Sequence, residues 1–243
     1  TTAWAQPSPT VPAALKETKV SNAELLKWTF NGIGKVYDES GRQICLQEGE
    51  NSLGVGLYSP LSYKGDVVMR YKVMPLNAAT VLVNLLCMSD EGESLELTFP
   101  DGYDGSMGPI LNKEDYFIAF RNSPHATAPF ISKNPKAGQL AIADKDEMIP
   151  GVYYDVEVGR VGKLVWLKVD GKTVVQCTDP NILPGGHLGI RLRGLVGHPA
   201  ACVIRDLSIL SAQSAAGAAR SLHDSRRTTL REFLFTVNRR FRH

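Results

Sequence analysis

Leu164-Val-Trp-Leu-Lys-Val169, then Asp170-Gly171, then Lys172-Thr-Val-Val-Gln-Cys177: two runs rich in β-branched and aromatic residues meet at an Asp-Gly pair. Asp-Gly accepts the positive φ values that a two-residue turn demands, so this stretch predicts an antiparallel hairpin. The same texture extends outward in both directions. From Asn22 to Leu210, short apolar or alternating runs are separated by Gly, Asp, Asn and Pro, and no long amphipathic helix interrupts them. That is the pattern of an all-β sandwich rather than of βαβ units.

Several strands follow from periodicity alone. Over 65–75, Val67, Met69, Tyr71 and Val73 alternate with Val68, Arg70, Lys72 and Met74, which predicts one apolar and one mixed face. Residues 80–88 (Thr-Val-Leu-Val-Asn-Leu-Leu-Cys-Met) are apolar on both parities, as in a strand covered on both sides. Residues 152–160, 186–193 and 201–210 supply three more. The expected fold class is therefore an all-β sandwich of two antiparallel sheets spanning 21–211.

The ends are different in kind. Ala3-Trp4-Ala5 fits the small-x-small pattern of a secretory cleavage site, so 1–20 is read as a signal remnant and extended leader, and the protein as secreted or periplasmic. Residues 212–243 form a basic tail, expected to be flexible, disordered or helical. Lys and Arg number 27 against 25 Asp and Glu, and seven of the Arg fall after Ser211 with only Asp224 and Glu232 beside them. The body is thus mildly acidic and has no basic field suited to nucleic acid. No apolar run is long enough for a membrane helix. The four cysteines, 45, 87, 177 and 202, lack metal-type spacing and read as small hydrophobes; a periplasmic location would also permit bridges.

Chemistry is sought among polar residues on strands. Glu91, Glu93 and Glu96 are weak candidates for a glycosidase pair, because Glu91 and Glu93 border a Gly turn and Glu96 has the opposite parity. Asp101-Gly-Tyr-Asp104-Gly105 lacks the full ladder of a Ca²⁺ loop and reads as a double turn. No metal ligand is assigned, and no cofactor is expected beyond the structural Ca²⁺ that many jelly rolls carry. The five His residues do not cluster, and nucleotide and Gly-x-Ser-x-Gly fingerprints are missing.

The richest stretch is 115–138. An aromatic strand carrying Tyr116, Phe117, Phe120 and Arg121 leads into a loop with Asn122, His125, Lys133 and Asn134. Aromatic faces beside planar donors suit sugars, whose C–H faces stack on rings while hydroxyls and carboxylates take hydrogen bonds. Arg191 and Arg193 alternate on a later strand and can anchor a carboxylate.

Phe120-Arg121 with the His125 loop, Lys133-Asn134-Pro135, Gly186-His-Leu-Gly-Ile-Arg191 and Arg205-Asp206-Leu207 together resemble the YesU-like domain family, over roughly residues 60–210. The resemblance implies a concanavalin A-like jelly roll of unknown activity found beside rhamnogalacturonan-degrading enzymes. The chain differs from the family pattern at Asn122 and at Lys136-Ala137, which bears on substrate class. The expected partner is a polysaccharide or oligosaccharide, with uronate as the favoured sugar. The leading reading is a carbohydrate-active protein, a lyase or hydrolase; in a lyase, Arg121 and Arg191 would neutralise the uronate carboxylate and His125 would remove the C5 proton. Lys133 or Tyr116 would assist the leaving oxygen, while Asn122, Asn134, Arg191 and Arg193 hold the chain. The alternative is a lectin-like module that uses the same residues only to bind.

Overall fold

In a computed structural model, residues 8–90, 95–122, 125, 128–136, 138–146 and 148–212 are described. Residues 1–5, expected to be a signal remnant, the tail at 213–243, and Glu91 and Glu93 lie outside them. The strands in chain order are β1 (Lys16–Lys19), β2 (Thr29–Gly32), β3 (Gly34–Glu39), β4 (Gln43–Glu48), β5 (Val55–Lys64), β6 (Val67–Pro75) and β7 (Val81–Ser89). They continue with β8 (Glu114–Arg121), β9 (Phe130–Asn134), β10 (Gly138–Ile142), β11 (Tyr154–Val161), β12 (Leu164–Val169), β13 (Lys172–Thr178), β14 (Gly185–Arg193) and β15 (Ala201–Ser211). Two short helices, α1 (Asn22–Leu25) and α2 (Met107–Leu111), punctuate them.

Two antiparallel sheets result. The first runs β13-β12-β11-β6-β15-β4-β3, and the second runs β10-β9-β8-β7-β14-β5-β2. The Asp170-Gly171 turn joins β12 to β13 with positive φ at both residues (49° and 75°), as the dipeptide predicts. Along one side of β15, β4 pairs with Ala201–Ile204 and β1 pairs with Ser208–Ser211. The change of partner falls at a bulge where Asp206 has φ 55°. Residues 16–19, expected in the leader, are therefore part of the first sheet. Before them, Val11 and Leu15 pack on Val68, Trp166 and Leu210, and Lys168 Nζ donates to the Pro9 carbonyl at 2.7 Å.

The core lies between the sheets. Val67, Met69, Tyr71 and Val73 of β6 face Leu82 and Leu86 of β7, Ile118 and Phe120 of β8, and Ile190 of β14. Tyr71 donates a 2.6 Å hydrogen bond to Asn84 Oδ1 across this layer. The other face of β6 carries the charges the alternation predicts: Arg70 and Lys168 meet Glu157 at 2.8 and 3.2 Å, and Lys72 meets Asp155. β7 is buried on both faces, because Val81, Val83, Leu85 and Met88 support a second apolar cluster on the outside of the second sheet. All four cysteines are free thiols, three of them buried. Among the described residues no helix is long and apolar enough to cross a membrane.

Candidate functional site

The outer face of the second sheet is paved with rings. Tyr58 of β5 lies flat across its neighbours because Gly56 and Gly189 leave room for it. A Cβ on Gly56 would stand 2.5 Å from the Tyr58 hydroxyl oxygen, and one on Gly189 3.0 Å from its ring. Phe99 leans on Tyr58 at a centroid distance of 4.7 Å, and Tyr103 stacks on Phe99 at 5.1 Å and 21°. Phe117 of β8 and Phe130 of β9 stack at 6.0 Å and 17°. With Leu97 and Met107 these rings form one cluster, in which Tyr58 and Phe117 are buried while Phe99, Tyr103 and Phe130 are half-buried. Ser132 is the register partner of Phe117, and Gln139 is the partner of Ser132, so neutral donors flank this shelf of rings.

A segment from Leu95 to Lys113 carries Phe99 and Tyr103 and is tied down at several points. Arg191 Nη2 donates to the carbonyls of Leu53 (2.9 Å) and Gly105 (2.7 Å), and Leu53 N donates to the Asp104 carbonyl at 3.1 Å. Lys113 binds Asp90, with its ammonium 5.0 Å from the Phe99 ring centroid. Asp90 also accepts from Thr98 N (2.8 Å) and Thr98 Oγ1 (2.6 Å). Burial pushes the Asp90 carboxyl up, but the bonds from Lys113 and Thr98 hold it below the ordinary carboxylate range. His187 bridges the carbonyls of Ser59 and Leu95, 2.7 Å from Nδ1 and 3.1 Å from Nε2.

The residues singled out from sequence gather in separate places. Tyr116 and Lys133, register partners on β8 and β9, converge on Asp179 at 2.6 and 2.7 Å. Tyr116 is fully buried, and its hydroxyl oxygen also accepts from Leu183 N at 3.2 Å. Burial raises the Asp179 carboxyl, yet Lys133, Tyr116 and Asn181 N outweigh it and hold the group low. Arg121 stands at the other end of β8, about 17 Å along the strand from Tyr116. It is 2 % exposed and donates to the Ala78 carbonyl (3.2 Å) and to that of Thr80, while its Nε has no partner.

Asn122, buried beside Arg121, donates its backbone N–H to Asp146 at 2.6 Å, and the exposed His125 donates its own to the Asn122 carbonyl at 2.9 Å. Asn134 donates to both oxygens of Asp115 at 3.2 and 3.3 Å. Asp115 is fully buried, and burial pushes its carboxyl up to about 8 against the pull of Asn134. Arg193 meets Glu48 at 3.3 Å and the Ser52 carbonyl at 2.7 Å. The structure thus unites Tyr116 with Lys133, Arg121 with Asn122 and His125, and Arg191 with Arg193, but it does not bring the first pair to Arg121.

Glu96 is exposed on the same segment as Phe99 and Tyr103. Asp104 Oδ1 accepts from Ser106 N at 2.9 Å inside the turn that the Asp-Gly pattern predicts. Among the described residues, no three His, Cys, Asp or Glu side chains gather as a metal-binding group. Phe99 and Tyr103 escaped the sequence reading. Their signal was two aromatic residues four apart in a loop of Pro, Asp and Gly. At one end of the sandwich, a separate cleft of about 360 Å³ is lined by Phe120, Met148, Tyr154, Val169 and Thr173.

No protein-family model and no curated protein matches the chain. Solved structures do. A Bacillus subtilis protein of unknown function with a galectin-like fold superposes with a TM-score of 0.65 at 13% identity, covering 81% of this chain and 99% of that one. The fold is a galectin-like jelly roll. The carbohydrate recognition domain of Emp47p follows at TM-score 0.58 and 13% identity, covering 83% and 99%. The exoplasmic/lumenal domain of VIP36, in its Ca²⁺/Man3GlcNAc-bound form, gives 0.56 at 14% identity, covering 83% and 91%. At these identities the likeness concerns fold.

Proposed function

We propose that this chain is a carbohydrate-binding protein of the YesU-like kind, which holds a polysaccharide on the ring shelf of its second sheet. The observation that carries the reading is the half-buried set of Phe99, which leans on buried Tyr58; Tyr103, which stacks on Phe99; and Phe130, which stacks on buried Phe117, with Ser132 and Gln139 beside them. Pre-stacked rings lose little freedom when a sugar C–H face settles on them, and the flanking hydroxyl and amide pair with sugar hydroxyls. The known binding of saccharide by VIP36 and the recognition-domain role of Emp47p belong to proteins of the same fold and support this reading. A setting in which polysaccharide is met, outside the cell or in the periplasm, is part of the proposal.

A catalytic reading directed at uronate is favoured by one observation: His125 is exposed directly beyond Arg121 and Asn122. In it His125 is the base, Arg121 and Arg191 anchor the carboxylate, Asn122, Asn134 and Arg193 hold the chain, and Lys133 or Tyr116 assists departure. That version requires the Tyr116–Lys133 pair to leave Asp179. Binding without cleavage requires no rearrangement, which is why it leads.

The test is incubation of the full chain with neutral and uronate-containing polysaccharides, following gel retardation, reducing ends and the ultraviolet band of unsaturated uronate. The reading predicts retardation with silence in both chemical channels. New reducing ends with ultraviolet absorbance, abolished by His125→Ala, would establish the lyase instead.

A further inference from the structure

We infer that the polysaccharide held on the shelf is neutral, recognised through its C–H faces and hydroxyls and not through carboxylates; this rests on the carbohydrate-binding reading above. β8, β9, β14 and the 95–113 segment carry five cations, Lys113, Arg121, Lys133, Arg191 and Arg193; Lys113 stands 5.0 Å from the Phe99 ring centroid, whereas Lys133 shares the opposite face of the sheet with Tyr116. Each is already committed. Lys113 holds Asp90, and Lys133 holds Asp179. Arg193 holds Glu48, itself 3 % exposed, and Arg121 and Arg191 hold backbone carbonyls.

Arg121, Lys133 and Arg191 would have to leave buried or nearly buried partners to take a uronate carboxylate, while Lys113 (side chain 10 % exposed) and Arg193 (23 %) would have to share their charge with Asp90 and Glu48. A released carboxylate or carbonyl in such a place loses its hydrogen bond without regaining water, which offsets what the new ion pair supplies. Two acids here are no more available to a cationic sugar. Asp90 is paired with Lys113 and Asp115 sits beneath the surface with Asn134, while the exposed Glu96 and Asp101 of the 95–113 segment add negative charge that disfavours a polyanion. The contact groups of the shelf itself are uncharged: the faces of Phe99, Tyr103 and Phe130, the hydroxyl of Ser132 and the amide of Gln139. A neutral pyranose chain matches that list in kind, with axial C–H groups against rings and equatorial hydroxyls against the flanking donors.

Salt separates the two ligand classes, because attraction between charges is screened and ring stacking is not. Affinity electrophoresis of the full chain against a neutral β-glucan, a neutral galactan, polygalacturonate and alginate, from about 50 to about 500 mM NaCl, tests the inference. Expected is retardation by at least one neutral polymer, changing less than about twofold with salt and weakening about tenfold in Phe130→Ala and in Tyr103→Ala. Retardation by the acidic polymers alone, lost at high salt, would overturn neutrality while leaving carbohydrate binding intact. Retardation by none of the four would overturn the carbohydrate reading itself.

Discussion

Gly105 sits so close over Gly54 that a Cβ on Gly105 would stand 1.7 Å from the Gly54 carbonyl oxygen. This contact and Arg191, which bonds the carbonyls of Leu53 and Gly105, seat the segment that carries Phe99 and Tyr103. Gly105 also has φ 87°, a conformation that disfavours any side chain. Gly105→Ala is therefore expected to lift the segment, at a cost on the order of 1–3 kcal/mol. Calorimetry should show a lower Tm, and glycan affinity should fall although no ring is removed. An unchanged Tm would show that the segment is not held there.

Lys133, Tyr116 and Asp179 behave in this account as a fastening between β8, β9 and the chain leading to β14. Lys133→Met leaves the largely buried Asp179 carboxylate without its cation and should cost about 3 kcal/mol, whereas Tyr116→Phe removes one hydrogen bond and should cost about 1 kcal/mol. Denaturant melts measure both. Glycan affinity at room temperature should survive in each variant, and its selective loss with stability intact would return these residues to the ligand site.

The buried Asp115 makes stability depend on pH in a stated direction. Its carboxyl titrates near 8 when folded, against an ordinary 3.8. Between these values the folded state keeps a proton that the unfolded chain has released, so stability falls as pH rises across that window and levels off above about 8. Asp115→Asn keeps the shape and removes the titration. It should match the wild type near pH 4 and exceed it in Tm near pH 9; parallel Tm profiles would rule out this assignment.

The segment before β1 lies over Trp166, which is fully buried with its Nε1 donating to Glu157 at 2.8 Å. Replacing Val11 and Leu15 together by Ser should expose that indole. A red shift in emission and faster acrylamide quenching are expected, with a stability loss of about 1–3 kcal/mol. Unchanged quenching would mean that the segment does not cover the ring.

β6 and the β12–β13 hairpin were legible because the period of two and the Asp-Gly turn speak locally, and β7 because its run is apolar on both parities. β5 was not, since Pro60 and its serines interrupt the pattern. Its ladder with β14 shifts register between Tyr58 and Ser62, and a proline is tolerated at such a break. The donors Arg121, Arg191 and Arg193 were found by residue type, but their partners are mostly backbone carbonyls, which no side-chain pattern reveals. Likewise, Phe99 and Tyr103 acquire meaning only when Gly56 and Gly189 let Tyr58 lie flat beneath them, a coincidence of three distant segments. Phe117 and Phe130 were within the stretch singled out, though their pairing across β8 and β9 depends on register.

The most direct test of the central claim is residue-resolved NMR of the labelled chain titrated with the oligosaccharide of whichever polymer it retains. The account predicts saturable shift changes concentrated at Phe99, Tyr103, Phe117, Phe130, Ser132 and Gln139. Changes gathered instead at the end cleft, around Met148, Tyr154 and Thr173, would contradict it and move the site to the other end of the sandwich.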